Sequence, residues 1–420
     1  MIQTDTHTTN QHATFSATAT IVGTAIGAGI FGIPYVFAQG GVVNGLVQLV
    51  LVLAVSIVIM LAYAAVVVVT PSKHQLPGYA ARYLGSAGRF TAVIALIFGM
   101  YAALSAYIIE VSFFIDTIFA EMIPVYSGID PQWYGIAFWC ISAVIIAAGA
   151  SAIIRFEFII VVAMIIVLAI LAGISVPEIT AVNLTTGVEW SQAFLPYGVL
   201  LFAFGAASSV PEIAAIFLSK QGSTKMKQSA LQNGMHRYKW SIIAGMIVTA
   251  LIYITFSLIV VGVSGTGTSE SAITGLGQVI GTPALVLGAL LGITTMGSSF
   301  LIIGLALQQM YVRDFSMNKY IALLLTLLPP LVFFIGKFAS FIEIIGIAGA
   351  LTGGLQGILI ILMFHRLWKE WRRKKEKYLY IPIEKTKGIL KYSRPVLLFV
   401  QLVFIAGIIY QIEQLFESFI

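Results

Sequence analysis

The sequence predicts an all-α integral membrane protein of about eleven transmembrane helices, built as two inverted five-helix repeats in which helices 1 and 6 are broken. Three observations predict it. The 420-residue chain is 59% hydrophobic and only 10% charged, more apolar surface than a water-soluble fold can hide, so lipid must be its solvent. Its apolar runs reach the ~20-residue length of a spanning helix and do not alternate as barrel strands would. Two of these runs, five spans apart, carry a glycine followed by a proline: Gly27 and Pro34, then Gly205 and Pro211.

The elements follow in order. Residues 1–14 are polar, without a basic n-region or cleavage site, and read as a cytoplasmic tail. The first repeat comprises spans at 15–38, 42–70, 90–120, 133–150 and 156–176, so it occupies 15–176. The second comprises 191–218, 240–263, 282–310, 319–336 and 340–364, so it occupies 191–364. A basic cytoplasmic loop fills 365–394, and an eleventh span at 395–416 lies within a closing segment, 395–420, with a short extracytoplasmic end.

Charge placement orients the map. With the N-terminus cytoplasmic, Lys73, Arg82, Arg89, Arg155, Lys220, Lys225, Lys227, Arg237, Lys239, Arg313, Lys319 and the run Arg366 to Arg394 fall inside; Lys337 alone falls outside. The positive-inside rule therefore predicts a multi-pass cell-membrane protein with a cytoplasmic N-terminus and an extracytoplasmic C-terminus. The net charge of +6 is an orientation signal: no basic face is interleaved with stacking aromatics, so nucleic acid is not an expected partner. Membrane lipid is, and no obligate protein partner is evident. The band WKEWRRKKEK, Trp368 to Lys377, reads as inside anchoring, with contact to anionic headgroups as the sharper alternative.

Span 1 contains GTAIGAGIFGIP, Gly23 to Pro34. Gly costs about 1 and Pro about 3 kcal/mol in a helix interior relative to Ala. Span 6 repeats the logic in LFAFGAASSVPEI, Leu201 to Ile213. Gly23 and Gly27 also form a GxxxG, whose plainer role is helix packing. Two breaks at corresponding positions of inverted halves point instead to the binding site of a secondary transporter. A break exposes N–H and C=O groups that lipid cannot satisfy and a ligand can. The outer half of span 1, from Ala28–Phe31, offers N–H donors to a carboxylate. The outer half of span 6, ending at Ala203–Phe204, offers carbonyls to an ammonium group. Together they have the polarity of an amino acid. The residues of and beside the two breaks, Gly27, Ala28, Gly29, Ile30, Ala203, Phe204, Gly205 and Ser208, are the candidate substrate site, with individual roles taken from the resemblance given below.

Tyr107 joins that site from span 3; Tyr101, six residues away, does not share its face. The alternative for Tyr107 is ordinary aromatic packing. Glu110, one turn outward, must be protonated, wetted or paired. Glu212 either caps the inner half-helix with Ser209, at capping-box spacing, or serves as a proton-binding or gating carboxylate. Glu343 lies near the outer end of span 10. In span 8, GITTMGSSF places Ser298 and Ser299 close to the midpoint and Thr294 and Thr295 one turn further out, two candidate registers whose hydroxyl oxygens suit Na⁺ or bond back to their own turn.

GTAIGAGIFGIPY with FAQGG resembles the first span of the amino acid/auxin permease family and of the hydroxy and aromatic amino acid permeases. FAFGAASSVPEI resembles the former family's sixth span, and SSFLIIGLALQQMYVRDF, from Ser298, the aromatic group's eighth. The resemblance implies a leucine-transporter-type fold in the amino acid–polyamine–organocation superfamily, with amino acids as substrate and H⁺ or Na⁺ as the driving ion. It implies that Gly27, Ala28 and Gly29 bind the substrate carboxylate, that Phe204 lines the pocket, and that Gly23 and Ile26 lend carbonyls to a cation. Na⁺ would then sit at Gly23, Ile26, Ser298 and Ser299, while H⁺ would use Glu110 or Glu212. The sixth-span histidine of many relatives is absent; Ala206 and Ala207 stand nearby.

Other functions fit less well. The chain has no GxxxxGK[ST] motif, no filter repeat and no nucleophile–base pair, which argues against a pump, a channel and an enzyme. Cys140 is the sole cysteine, and His7, His12, His74, His236 and His365 fall in loops or at span ends. No cofactor is expected. An amino-acid-binding sensor without net transport is the alternative to a transporter.

Overall fold

The computed structural model describes residues 4–70, 74–123, 128–148, 153–185, 187, 190–218, 228–374 and 393–418, and among these it is entirely helical. Lys73, Lys220, Lys225, Lys227 and the basic run at 375–392 lie outside the described residues.

Helices stand on all eleven predicted positions. Span 1 is α1 (Thr4–Ala25) followed by α2 (Gly29–Gly40), with a 59° bend between them. Spans 2 to 5 are α3 (Val42–Val69), α4 (Leu76–Met122), α5 (Pro131–Ala148) and α6 (Ile153–Ser175). Short 3₁₀ turns at Val176–Glu178, Ala181–Thr185 and Trp190–Gln192 lead to span 6, which is α7 (Leu195–Ala203) and α8 (Ser209–Leu218). Then come α9 (Gln228–Ser264), α10 (Ile273–Ile280), α11 (Thr282–Asp314) and α12 (Lys319–Ile335). Span 10 is α13 (Phe341–Ala348) joined to α14 (Gly354–Lys374) through a π turn at Gly349–Gly353, and α15 (Arg394–Ser418) is span 11. By length and hydropathy, α3, α4, α5, α9, α11, the α13–α14 unit and α15 suffice to cross a membrane unbroken, and α1–α2 suffices as a bent pair; α12 and the part of α6 from Val162 are shorter apolar helices.

The sequence reading differs from the structure in four places. The polar N-terminal tail is helical from Thr4 onward. The segment before span 3 is helical from Leu76, and Gly85, at φ +76°, kinks α4 where this segment meets the span. That conformation is open to glycine and costly for other residues. The eight-residue helix α10 lies in what the reading left as a loop. The basic band from Trp368 continues α14 as helix to Lys374.

The two broken spans sit at the centre of the bundle. α2 packs against α7, α9 and α3, and α7 packs against α13 and the π turn behind it. Both α2 and α7 are buried along nearly their whole length. The approach of α7 to span 10 needs bare backbone: a Cβ on Gly198 would lie 2.4 Å from Gly346 O, and one on Gly349 would overlap Gly198 O. α4 and α11 pack on each other along the opposite wall.

Candidate functional site

The first break spans Ile26 to Ala28. α1 ends by hydrogen bonding Ile26 N–H to Val22 O at 2.9 Å, and α2 begins with Phe31 N–H on Ala28 O at 3.1 Å. The N–H groups of a first helical turn have no acceptor within the helix. The second break spans Phe204 to Ser208. Its backbone folds into tight turns: Gly205 N–H bonds Phe202 O at 3.0 Å and Ala206 N–H bonds Phe204 O at 2.8 Å.

The two broken spans touch beside their breaks. A Cβ on Gly29 would fall 2.6 Å from Ala203 Cβ and 2.7 Å from its Cα, so α2 can meet the end of α7 only because residue 29 has no side chain. A third element fastens them. Tyr253, fully buried in α9, directs its hydroxyl at Ala25 O and Ala203 O, each 2.8 Å away, the last carbonyls of α1 and α7. Its ring meets Phe204 edge-on at 5.4 Å. The carbonyl of Ala203, expected to be free for an ammonium group, is therefore engaged by the protein itself. Sequence reasoning missed Tyr253; the signal was a phenol at mid-depth of an apolar run, where its hydroxyl must find a partner.

Gly27 forms the floor of the site. A Cβ there would lie 3.1 Å from Tyr107 Oη and 3.9 Å from Ser299 Oγ. The two hydroxyls face each other, so Gly27, Tyr107 and Ser299 come together from α4, α11 and the first break. Gly27 is half-buried, and Gly205 and Ser208 of the second break are exposed. Ala28, Gly29, Ile30, Ala203 and Phe204 are buried, as is Ile26, while Gly23 is half-buried. Tyr101 turns elsewhere: its hydroxyl donates to Leu325 O at 2.7 Å and lies 2.7 Å from the Tyr311 hydroxyl.

The other span-8 hydroxyls bond to their own helix. Thr295 donates to Leu291 O at 2.8 Å and Gly292 O at 3.2 Å, and Ser298 donates to Thr295 O at 2.9 Å. Each keeps oxygen lone pairs, but only Ser299 is set against Gly27 and Tyr107. Glu212 is exposed on the first turn of α8, and Ser209 donates to Ala206 O at 2.7 Å across the second break. A capping box is present at α13, where Ser340 N–H bonds Glu343 Oε2 at 2.7 Å and Glu343 N–H bonds Ser340 Oγ at 3.4 Å. Glu110 is buried one turn from Tyr107, and its Oε2 has no hydrogen-bond partner among the described residues. Glu110 and Glu212 thus lie on opposite sides of Gly27 along the bundle. On the Glu110 side, Phe31 of α2 packs tilted against Phe114 of α4 at 5.2 Å and edge-on against Phe256 of α9 at 6.0 Å, an apolar cluster beside the break. An apolar groove of about 250 Å³ between α6, α9 and α10 is lined by residues such as Leu168, Leu251 and Ile259 and does not include Gly27, Tyr107 or Ser299.

Known proteins share this architecture and this sequence pattern. The family model described as tryptophan/tyrosine permease family matches residues 10–390. Tyrosine-specific transport system 1 of Haemophilus influenzae is 25% identical over 382 residues, covering 86% of this chain and 88% of that protein. Among solved structures, the inward-facing conformation of Mhp1 superposes with a TM-score of 0.65 at 11% identity, over 96% of this chain and 91% of that one. MhsT in complex with L-phenylalanine gives a TM-score of 0.62 at 17% identity, over 93% of this chain and 98% of that one. At these identities the structural likeness establishes the fold, a leucine-transporter-type bundle with broken helices 1 and 6.

Proposed function

The chain belongs to the tryptophan/tyrosine permease family, and from that premise we propose that it is a secondary active transporter that carries an aromatic amino acid, tyrosine or tryptophan, by alternating access. A permease moves its substrate chemically unchanged, so the chain is a transporter and not an enzyme. One observation carries the substrate reading. Gly27 presents unwound backbone between the hydroxyls of Tyr107 and Ser299, beside the unwound residues 204–208. That arrangement would offer N–H donors to a carboxylate, and the ring of Phe204, edge-on to Tyr253, would border the substrate. Discrimination for tyrosine or tryptophan would rest on the ring contacts and hydroxyls that surround the side chain.

In this reading residues 15–176 and 191–364 are the two inverted repeats that rock against each other, and α15 is an addition. The N-terminus is cytoplasmic, as the basic residues at one set of span ends support. The coupling ion is H⁺, a reading that the buried Glu110 supports.

Counterflow of labelled L-tyrosine and L-tryptophan into proteoliposomes tests the proposal. The expected result is exchange of at least one of the two, inhibited by the other and not by aliphatic amino acids. Proteoliposomes that exchange neither would overturn it.

A further inference from the structure

Glu110 stands out among the buried polar groups. It is 3% exposed, its Oε2 has no hydrogen-bond partner, and among the described residues the one charged group set against it is Glu270, which bears the same charge. A buried carboxylate without a donor or a cation beside it is costly to keep charged. The hydrogen-bond surroundings of the two acids differ. Glu270, in the segment between α9 and α10, accepts a hydrogen bond from Ile342 N–H at 3.3 Å in the first turn of α13. Glu343 accepts one from Ser340 N–H at the same helix start. Both of these carboxylates therefore find a backbone donor at the start of α13. Glu110 has no such donor.

The remaining ionisable groups around this cluster do not change the balance. Tyr107 lies one turn away on α4, and Tyr35 of α2 faces Glu270 and Glu343. The other helices packed on α4 are α5, α11, α12 and α14; their charged residues, such as Arg313, Lys319 and Arg366, lie towards the opposite ends of those helices from Glu110. Lys337, beyond the end of α12, is exposed.

From this we propose that Glu110 is the proton-carrying site of the transporter and that Glu270, anchored on the N-terminus of α13, passes the proton to it from the face proposed as extracytoplasmic. The inference rests on the transport reading above. The step is a proton transfer and nothing else: a proton from outer water is taken up by Glu270, moves to the Glu110 carboxylate, and leaves to inner water after the bundle has changed its open side. Glu110 lies one turn from Tyr107, and Tyr107 lies over Gly27, so the proton and the substrate share one packed wall.

The test uses purified full-length protein in proteoliposomes with labelled L-tyrosine and L-tryptophan. Glu110→Gln should lose pH-gradient-driven accumulation, the steady-state ratio falling to that measured without a gradient, while measurable counterflow shows that the variant is folded. Glu110→Asp, which keeps an acid, should recover part of the accumulation. Glu270→Gln should slow gradient-driven uptake several-fold. Infrared difference spectra of the wild type should contain the carbonyl stretch of a protonated carboxylic acid, lost in Glu110→Gln and kept in Glu212→Gln; this measurement needs no transport by the variant. Undiminished accumulation by Glu110→Gln, or a band lost in Glu212→Gln instead, would overturn the assignment. Wild-type protein that shows no counterflow at all would instead remove the transport reading on which the assignment depends.

Discussion

Two glycines, two residues apart, do different work at the first break. Gly27 faces the tips of two polar side chains, whereas Gly29 faces the backbone and Cβ of Ala203. A methyl group at residue 27 would meet Tyr107 Oη at 3.1 Å, a contact that a small movement of the phenol can relieve. Gly27→Ala should therefore leave the melting temperature of the empty protein nearly unchanged and weaken substrate-induced thermal stabilisation by tenfold or more. Gly29→Ala should do the reverse, because α2 and α7 must separate, and overpacking of this kind costs about 1–3 kcal/mol. A thermal-shift series with and without L-tyrosine or L-tryptophan separates the two, and equal effects in both variants would refute the distinction. The sequence reading grouped Gly27, Ala28 and Gly29 as one carboxylate site, because spacing shows where a helix can unwind and not which glycine faces a ligand and which a neighbouring helix. Tyr253 was beyond it for a similar reason: its partners, Ala25 and Ala203, are 228 and 50 residues away in the chain.

At the scale of elements, the two broken spans are held by one hydroxyl. A phenol has a single proton to donate, yet Tyr253 stands 2.8 Å from two carbonyls, so the proton is shared between the ends of α1 and α7 or passes from one to the other as they move. Tyr253→Phe leaves both carbonyls without this donor in a buried place, at a cost of about 1–3 kcal/mol. The expected outcome is a lower melting temperature together with a reduced maximal rate of counterflow, since the half-helices lose their common tether. A variant with wild-type stability and rate would show that the tether is dispensable. The spans were legible because hydropathy over some twenty residues is a strong, local signal, and the breaks were legible because glycine and proline act on their own turn. α10 was not, because eight residues between two turns carry too little periodicity to register. The helical start of α4 was missed because it joins the span only through the positive φ of Gly85.

Over the whole molecule, burial is asymmetric about the breaks. α2 and α7 are sealed, with Phe31, Phe114 and Phe256 clustered on one side of Gly27. On the other side, among the described residues, α1 packs mainly on α9, with smaller contacts to α8 and α6. Its Thr20 and Thr24, one turn apart, are partly exposed, and Thr24 lies one turn before Gly27; across from them Gly205, Ser208 and Glu212 are exposed. Thr20, Thr24, Gly205, Ser208 and Glu212 thus leave polar surface uncovered beside the two breaks, on the N-terminal side of Gly27. From this exposure we predict access to the site from that side, which the proposed topology makes the cytoplasm. Single cysteines read this out in a Cys140→Ser background, needed because Cys140 is exposed. Thr24→Cys and Ser208→Cys should react with a membrane-impermeant maleimide in inside-out vesicles and not in right-side-out ones, and Phe114→Cys should be slow in both. Aromatic amino acid should slow Ser208→Cys more than Thr24→Cys, because only the former lies in the break itself. Reaction of Ser208→Cys from the right-side-out face alone would reverse the proposed orientation or the open side, and labelling the N-terminus in the same vesicles decides which, since the topology fixes the N-terminus independently of the conformation.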